Sequence, residues 1–287
     1  MDPLLRTSSE FWPVDKVILA YFAFAVVALV GWWSKVADAP EFLMFHLMGT
    51  GLLVFEIRRP NWSSFWFRHW YPVLYVAACY KEMAYLIPAI RTTDADAFLS
   101  NLDFRLWGVH PTVWLERIQS AGLTEFLQII YTLFVPVVLV PAFLFWRKRN
   151  YAGFQYFAFL IALGYLVSYV GYLIVPARGP RFLLVQLQHV PLRGLWLFDA
   201  MQSTLDHLES AHYDCFPSGH TELTILAWWS TRHFGRPTLF WLYFAYTLCI
   251  IFATVYLRYH YSVDVLAGVV AAVILIWMAP FIYRKLQ

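Results

Sequence analysis

The chain has 287 residues, of which 61% are hydrophobic, 20% aromatic and only 14% charged, with a formal net charge of +3. Soluble domains carry roughly 25% charged residues, so the apolar surplus here has to face lipid. The weak positive charge excludes a nucleic-acid-binding field, and no basic-plus-aromatic binding module appears.

Spanning a bilayer takes about 20 apolar helical residues, and the chain supplies runs near that length at 17–33, 42–55, 71–90, 124–146, 154–175, 237–257 and 263–283. The first run has one feature of a cleavable leader, since Ala37-Asp38-Ala39 fits a small-x-small cleavage site. Its length exceeds the usual signal core of about 7–15 residues, and Asp2, Glu10 and Asp15 dilute the basic start, so it reads as a retained helix. Lys81 and Glu82 interrupt the third run. Adjacent helical residues do not face each other, so the pair points either to a cavity and a neighbouring helix or to the membrane interface. Within the loop 91–123, residues 111–118 read as an amphipathic helix lying on the membrane or capping the bundle. The segment 218–234 is less apolar and supplies an eighth helix, with Glu222, Thr224 and Ser230 turned toward neighbours or a wet cavity. The fold class is therefore an all-α polytopic bundle of about eight membrane helices.

Basic residues set the orientation. Alternating the loops puts Arg6, Lys16, Arg58, Arg59, Arg68, Arg147, Lys148, Arg149, Arg232, Arg236, Arg284 and Lys285 on one densely basic side. That side is expected to be cytoplasmic, which leaves the long loops 91–123 and 176–217 on the other face. The cysteines suggest no disulfide framework: Cys79 and Cys249 lie inside apolar runs, and Cys215 has no obvious partner in the sequence.

Three polar clusters stand out, and the loop charges place all of them on the non-cytoplasmic face. The first is Pro176-Ala177-Arg178-Gly179-Pro180-Arg181, after the fifth run. Two arginines three apart suit a phosphate dianion, since guanidinium groups bind its oxygens in bidentate fashion. The second is Asp214-Cys215-Phe216-Pro217-Ser218-Gly219-His220-Thr221. Pro-Ser-Gly before a helix leaves free N–H groups at a positive dipole end, an anion site with His220 in its first turn. The third is Arg258-Tyr259-His260-Tyr261-Ser262-Val263-Asp264, in which His260 and Asp264 are four apart and share a helix face.

These residues resemble the type-2 phosphatidic acid phosphatase superfamily over about 171–268. The resemblance implies a six-helix phosphatase-like core, N-terminal membrane helices over 1–65 and a catalytic membrane domain over 66–287. It implies that His260 is a nucleophile forming a phosphohistidine, that Asp264 orients it, and that His220 protonates the leaving oxygen. Ser218 and Gly219 would contact phosphate, as would Arg178, Arg181 and Arg258; no cofactor or metal is implied. The family's first motif is Lys, six residues, then Arg-Pro, but counting back from Arg178 or Arg181 gives Gly171 or Ile174. Its third motif usually carries Arg six residues before the His, where this chain has Thr254. Asp214, Ser-Gly-His-Thr and His-Tyr-Ser-Val-Asp-Val together are similar to the sphingomyelin and inositol phosphorylceramide synthase branch.

Three functions follow for comparison. The leading one is a metal-independent lipid phosphatase acting on a membrane lipid; the second is a phosphotransferase moving a phospho-head-group between lipids. The third is a His/Asp proton-relay transporter, disfavoured because no paired broken helices occur in matching halves. A metal site of His212, Asp214 and Glu222 matches no compact zinc spacing.

Overall fold

The computed structural model describes residues 10–59, 61–208 and 213–287, so Arg6 and His212 lie outside the described residues. Among the described residues there is no strand. The membrane-scale helices are α1 (Pro13–Gly31), α2 (Ala39–Arg58) and α3 (Trp62–Ile90), followed by a short α4 (Asp96–Trp107). Then come α5 (Ala121–Thr132), α6 (Phe134–Arg147), α7 (Tyr151–Ile174), α8 (Phe198–Leu208), α9 (Gly219–Thr231), α10 (Pro237–Tyr256) and α11 (Ser262–Leu286). Helical turns at Pro111–Trp114 and Leu115–Ile118 occupy the expected 111–118 segment.

Among the described residues six helices, α1, α2, α3, α7, α10 and α11, are long and apolar enough to cross a membrane. The run 124–146 is expected to be one helix and folds as two, α5 and α6, bent by 45° at a break. Pro136 accounts for the break: it has no N–H for the carbonyl of Thr132, and its ring crowds that carbonyl. The eighth expected span is α9, whose 13 residues reach about 20 Å against a hydrocarbon core of about 30 Å. This helix lies inside the bundle, packed by α6, α7, α10 and α11. Its polar groups are met internally: Ser168 donates to Glu222 at 2.7 Å, and the Thr224 hydroxyl donates to the His220 carbonyl at 2.7 Å.

Lys81 and Glu82 part company, as neighbours on a helix must. Glu82 is fully buried against α2, where His46 Nε2 lies 3.0 Å from its carboxylate. Lys81 is exposed and lines a half-open cavity instead.

At the opposite end of α3 an ion pair ties α1 to α3. Arg68 and Asp15 are both fully buried and in contact, Tyr71 donates to the same carboxylate, and the Arg68 guanidinium lies 4.3 Å from the Trp12 ring. Breaking a buried pair by removing one partner typically costs about 3–5 kcal/mol, because the other charge stays desolvated. Arg68→Ala is therefore expected to lower the thermal midpoint in detergent sharply, and the double change Arg68→Leu with Asp15→Asn should recover much of the loss. Equal midpoints for wild type and Arg68→Ala would contradict this account of the α1–α3 contact.

Candidate active site

The three polar clusters come together at one end of the bundle, tied by backbone hydrogen bonds. Cys215 N–H donates to the Ala177 carbonyl at 3.1 Å, joining the second cluster to the first. Arg181 N–H donates to the Arg258 carbonyl at 3.2 Å, joining the first to the third, and Ser218 N–H donates to the Asp264 carbonyl at 3.0 Å, joining the second to the third. Two glycines permit the close approach. Gly179 has φ +100°, and a Cβ there would lie 2.6 Å from the Tyr259 carbonyl oxygen; a Cβ on Gly268 would lie 2.5 Å from that of Ser218.

A scaffold helix that sequence reasoning missed holds this frame. Asp96, at the start of α4, accepts the N–H groups of Arg178 and Gly179 at 2.7 and 2.8 Å and the Tyr261 hydroxyl at 2.9 Å. Asp103, seven residues on and therefore on the same side of α4, caps α11 from outside. It accepts from Ser262 N, Ser262 Oγ and Val263 N at 2.9, 2.7 and 2.9 Å. These bonds satisfy donors that a helix N-terminus otherwise leaves open.

His220 and His260 face each other with ring centroids 5.8 Å apart. His220 sits in the first turn of α9, whose cap is Ser218, accepting from Thr221 N–H. Its ring is set by aromatic contact, stacked on Tyr131 at 4.4 Å and against Phe134 at 4.3 Å. These two residues flank the α5–α6 break, so the Pro136 kink is what brings them to the histidine. His260 is buried (4% exposed). Its Nδ1 lies 2.8 Å from the Cys215 carbonyl and 3.7 Å from Asp264 Oδ2. The nearer partner fixes the tautomer: Nδ1–H donates to the carbonyl, which leaves Nε2 unprotonated. Asp264 is engaged by the Tyr261 N–H and the Cys215 thiol, both at 2.8 Å. Cys215, without a partner in the sequence, thus grips both members of the His–Asp pair. Burial, then the Asp264 charge, pushes its thiol well above the usual range, so it stays a neutral donor.

The remaining expected residues divide. Asp214 is half-buried, accepts the Tyr80 hydroxyl at 2.6 Å and lines the same cavity as His220. Burial raises its pKa. Arg178 is exposed, its guanidinium 4.4 Å from the Phe182 ring. Arg181 pairs with Asp206 of α8 at 2.9 Å, a partly exposed contact of a kind worth little and easily opened. Arg258 is placed elsewhere: buried at φ 66°, it binds Glu116 at 2.9 Å, Gln188 at 3.2 Å and the Val190 carbonyl. Its guanidinium is committed to holding the outer loops. Glu222 points at Ser168 and Asp214 at Tyr80, so these two do not converge on one point. The metal-type donors that do converge, among the described residues, are Cys215, His260 and Asp264, within 4.8 Å of one another.

A family model described as the PAP2 superfamily matches residues 97–278, more than half of the chain. The chain belongs to that superfamily. The match begins in α4 and ends within α11, leaving α1–α3 outside it. No curated relative matches the chain, and no solved structure matches it. Membership supports a phosphatase-type or related phosphotransferase activity in a membrane protein.

Proposed function

We propose that the protein is a membrane-embedded lipid phosphatase that works through a phosphohistidine on His260. The observation that carries this reading is the facing pair of imidazoles, with His260 Nδ1 committed to the Cys215 carbonyl. A histidine held in this way presents the lone pair of Nε2 to phosphorus. Attack forms the N–P bond and breaks the P–O ester bond, and the leaving alkoxide takes a proton from His220. Burial and then His260 lower the pKa of this imidazole before substrate binds, and the phosphate dianion bound beside it restores the proton it gives up. A water molecule then attacks the phosphohistidine and gives its proton to the now neutral His220. The N–P bond breaks, and inorganic phosphate leaves with both histidines restored. The free N–H groups at the start of α9, with Arg178 and Arg181, neutralise the phosphate oxygens. The test is transfer of labelled phosphate from a lipid phosphate to His260, as detailed in the Discussion.

A second reading is favoured by the position of Asp214 on the cavity wall with His220 and by the synthase-like motif. In that reading the phosphohistidine carries a phospho-head-group, and a lipid alcohol replaces water. Incubation with labelled lipid phosphates and phosphodiesters, with and without ceramide or diacylglycerol, separates the two. Free phosphate supports hydrolysis, and acceptor-dependent product supports transfer.

Two further expectations belong to this proposal. Activity should persist in EDTA, because arginines and backbone N–H groups serve as the phosphate-neutralising charges. Loss in chelator with recovery on adding a divalent ion would make Cys215, His260 and Asp264 metal ligands instead. The site should also open on the side opposite the cytoplasm. Val185, 54% exposed in the outer loop, is a better reporter than Gln188, which binds Arg258. Val185→Cys should react with an impermeant thiol reagent on intact cells and Lys148→Cys should not. The reverse pattern would invert the orientation.

A further inference from the structure

A half-open cavity of about 400 Å³ lies between α3, α6, α7 and α9. Its wall is nearly all apolar, with Ala77, Val138, Ala162 and Leu223 among its residues, and Leu205 of α8 lines it as well. The lining is polarised. Lys81, Asp214 and His220 carry its polar chemistry at the catalytic end, where Tyr80, the neighbour of Lys81, binds Asp214. From Lys81 the lining continues along α3 to His69 and Trp70 near the helix's other end, a run of about 18 Å at 1.5 Å per residue. A charged mouth beside the histidines, followed by a long apolar bore, is complementary to an amphiphile lying head-outward. Ligand pockets of this size are usually lined in this way, with few polar groups that fix orientation.

We infer that this chamber holds one hydrocarbon chain of the substrate within the protein, with the anionic head at the Lys81 mouth beside His220. The identity of the head rests on the lipid-phosphate reading above; the chamber and its occupant rest on the lining. A consequence is that chain length is sensed by α3, a helix outside the family-matched residues. Ala77 lies one helical turn below Lys81, and in the structure it is exposed although its helix is packed in the bundle, so a larger side chain there projects into the bore without displacing core atoms.

The experiment measures binding of the non-hydrolysable pair hexadecyl phosphonate and butyl phosphonate to the full chain in nanodiscs. Wild type should bind the hexadecyl compound more tightly than the butyl one. Ala77→Trp should weaken hexadecyl binding at least about tenfold, the scale on which apolar pockets discriminate, and leave butyl binding unchanged. Ala158→Leu, a milder intrusion from α7, should act in the same sense should the Trp variant fail to fold. Equal affinity of wild type for both phosphonates, unchanged hexadecyl binding in the variants, or equal weakening of both ligands would each overturn the inference. Turnover of hexadecyl phosphate is read separately. Selective binding without hydrolysis keeps the chamber and removes the phosphatase reading. Hydrolysis that is indifferent to Ala77→Trp does the opposite.

Discussion

Replacement of His260 by Ala is expected to abolish turnover on every substrate, including activated aryl phosphates. The proposed reaction forms its covalent bond at this imidazole, and without a nucleophile the two-step route is lost altogether. Cys215, whose sulfur lies 3.6 Å from His260 Nδ1, is a neutral thiol whose hydrogen bond goes to Asp264 at 2.8 Å. Asp264→Asn should be less severe than His260→Ala. The carboxylate stands 3.7 Å from Nδ1, while the Cys215 carbonyl, a main-chain group, holds that nitrogen at 2.8 Å and survives the substitution. Activity of Asp264→Asn as low as that of His260→Ala would mean that the carboxylate, and not the carbonyl, sets the imidazole. Initial rates on one lipid phosphate and one aryl phosphate, normalised to folded protein, decide the matter.

His220→Ala is expected to behave differently on the two substrate types. General acid catalysis contributes typically 10²–10⁴-fold, and a lipid alkoxide needs that proton while a nitrophenolate does not. The variant should lose a factor of this order on a lipid phosphate and retain measurable release of nitrophenol. The cost in folding should be small, because the His220 ring is held by Tyr131 and Phe134 and makes no hydrogen bond among the described residues. Equal losses on both substrates would remove His220 from the role of acid and make it a phosphate ligand.

Much of this site is legible in the sequence because its chemistry is short-range. Ser218, Gly219 and His220 sit consecutively at a helix start, so local geometry alone presents them. His260 lies two residues before α11, so it meets Asp264 through the turn ahead of the helix and not on the shared helix face that their spacing suggested. The bundle was legible for a similar reason: a run of about 20 apolar residues has few places to go. What escaped depends on contacts distant in sequence. Asp96 and Asp103 look like ordinary loop acids, and only the fold reveals that they accept N–H groups from residues about 80 and 160 positions later. Cys215 acts on His260 through a backbone carbonyl, which no side-chain pattern encodes. Arg258 looked like a phosphate ligand because of its place in the motif, but its left-handed backbone turns the guanidinium to Glu116 and Gln188. The break at α5–α6 did leave a sign in Pro136; it was hidden by the uniform hydrophobicity of 124–146. Lys81 and Glu82 stand out in an apolar run, yet their surroundings come from the tertiary packing of α2 and the cavity.

The most direct test of the central claim is to trap the intermediate. Purified protein is mixed with a phosphorus-labelled lipid phosphate, quenched in base, digested and mapped by mass spectrometry. The account predicts an acid-labile phosphoryl group on the peptide carrying His260. It should be absent from His260→Ala and, with an aryl phosphate donor, still present in His220→Ala. Label retained by His260→Ala, or found on the peptide carrying His220, would contradict it.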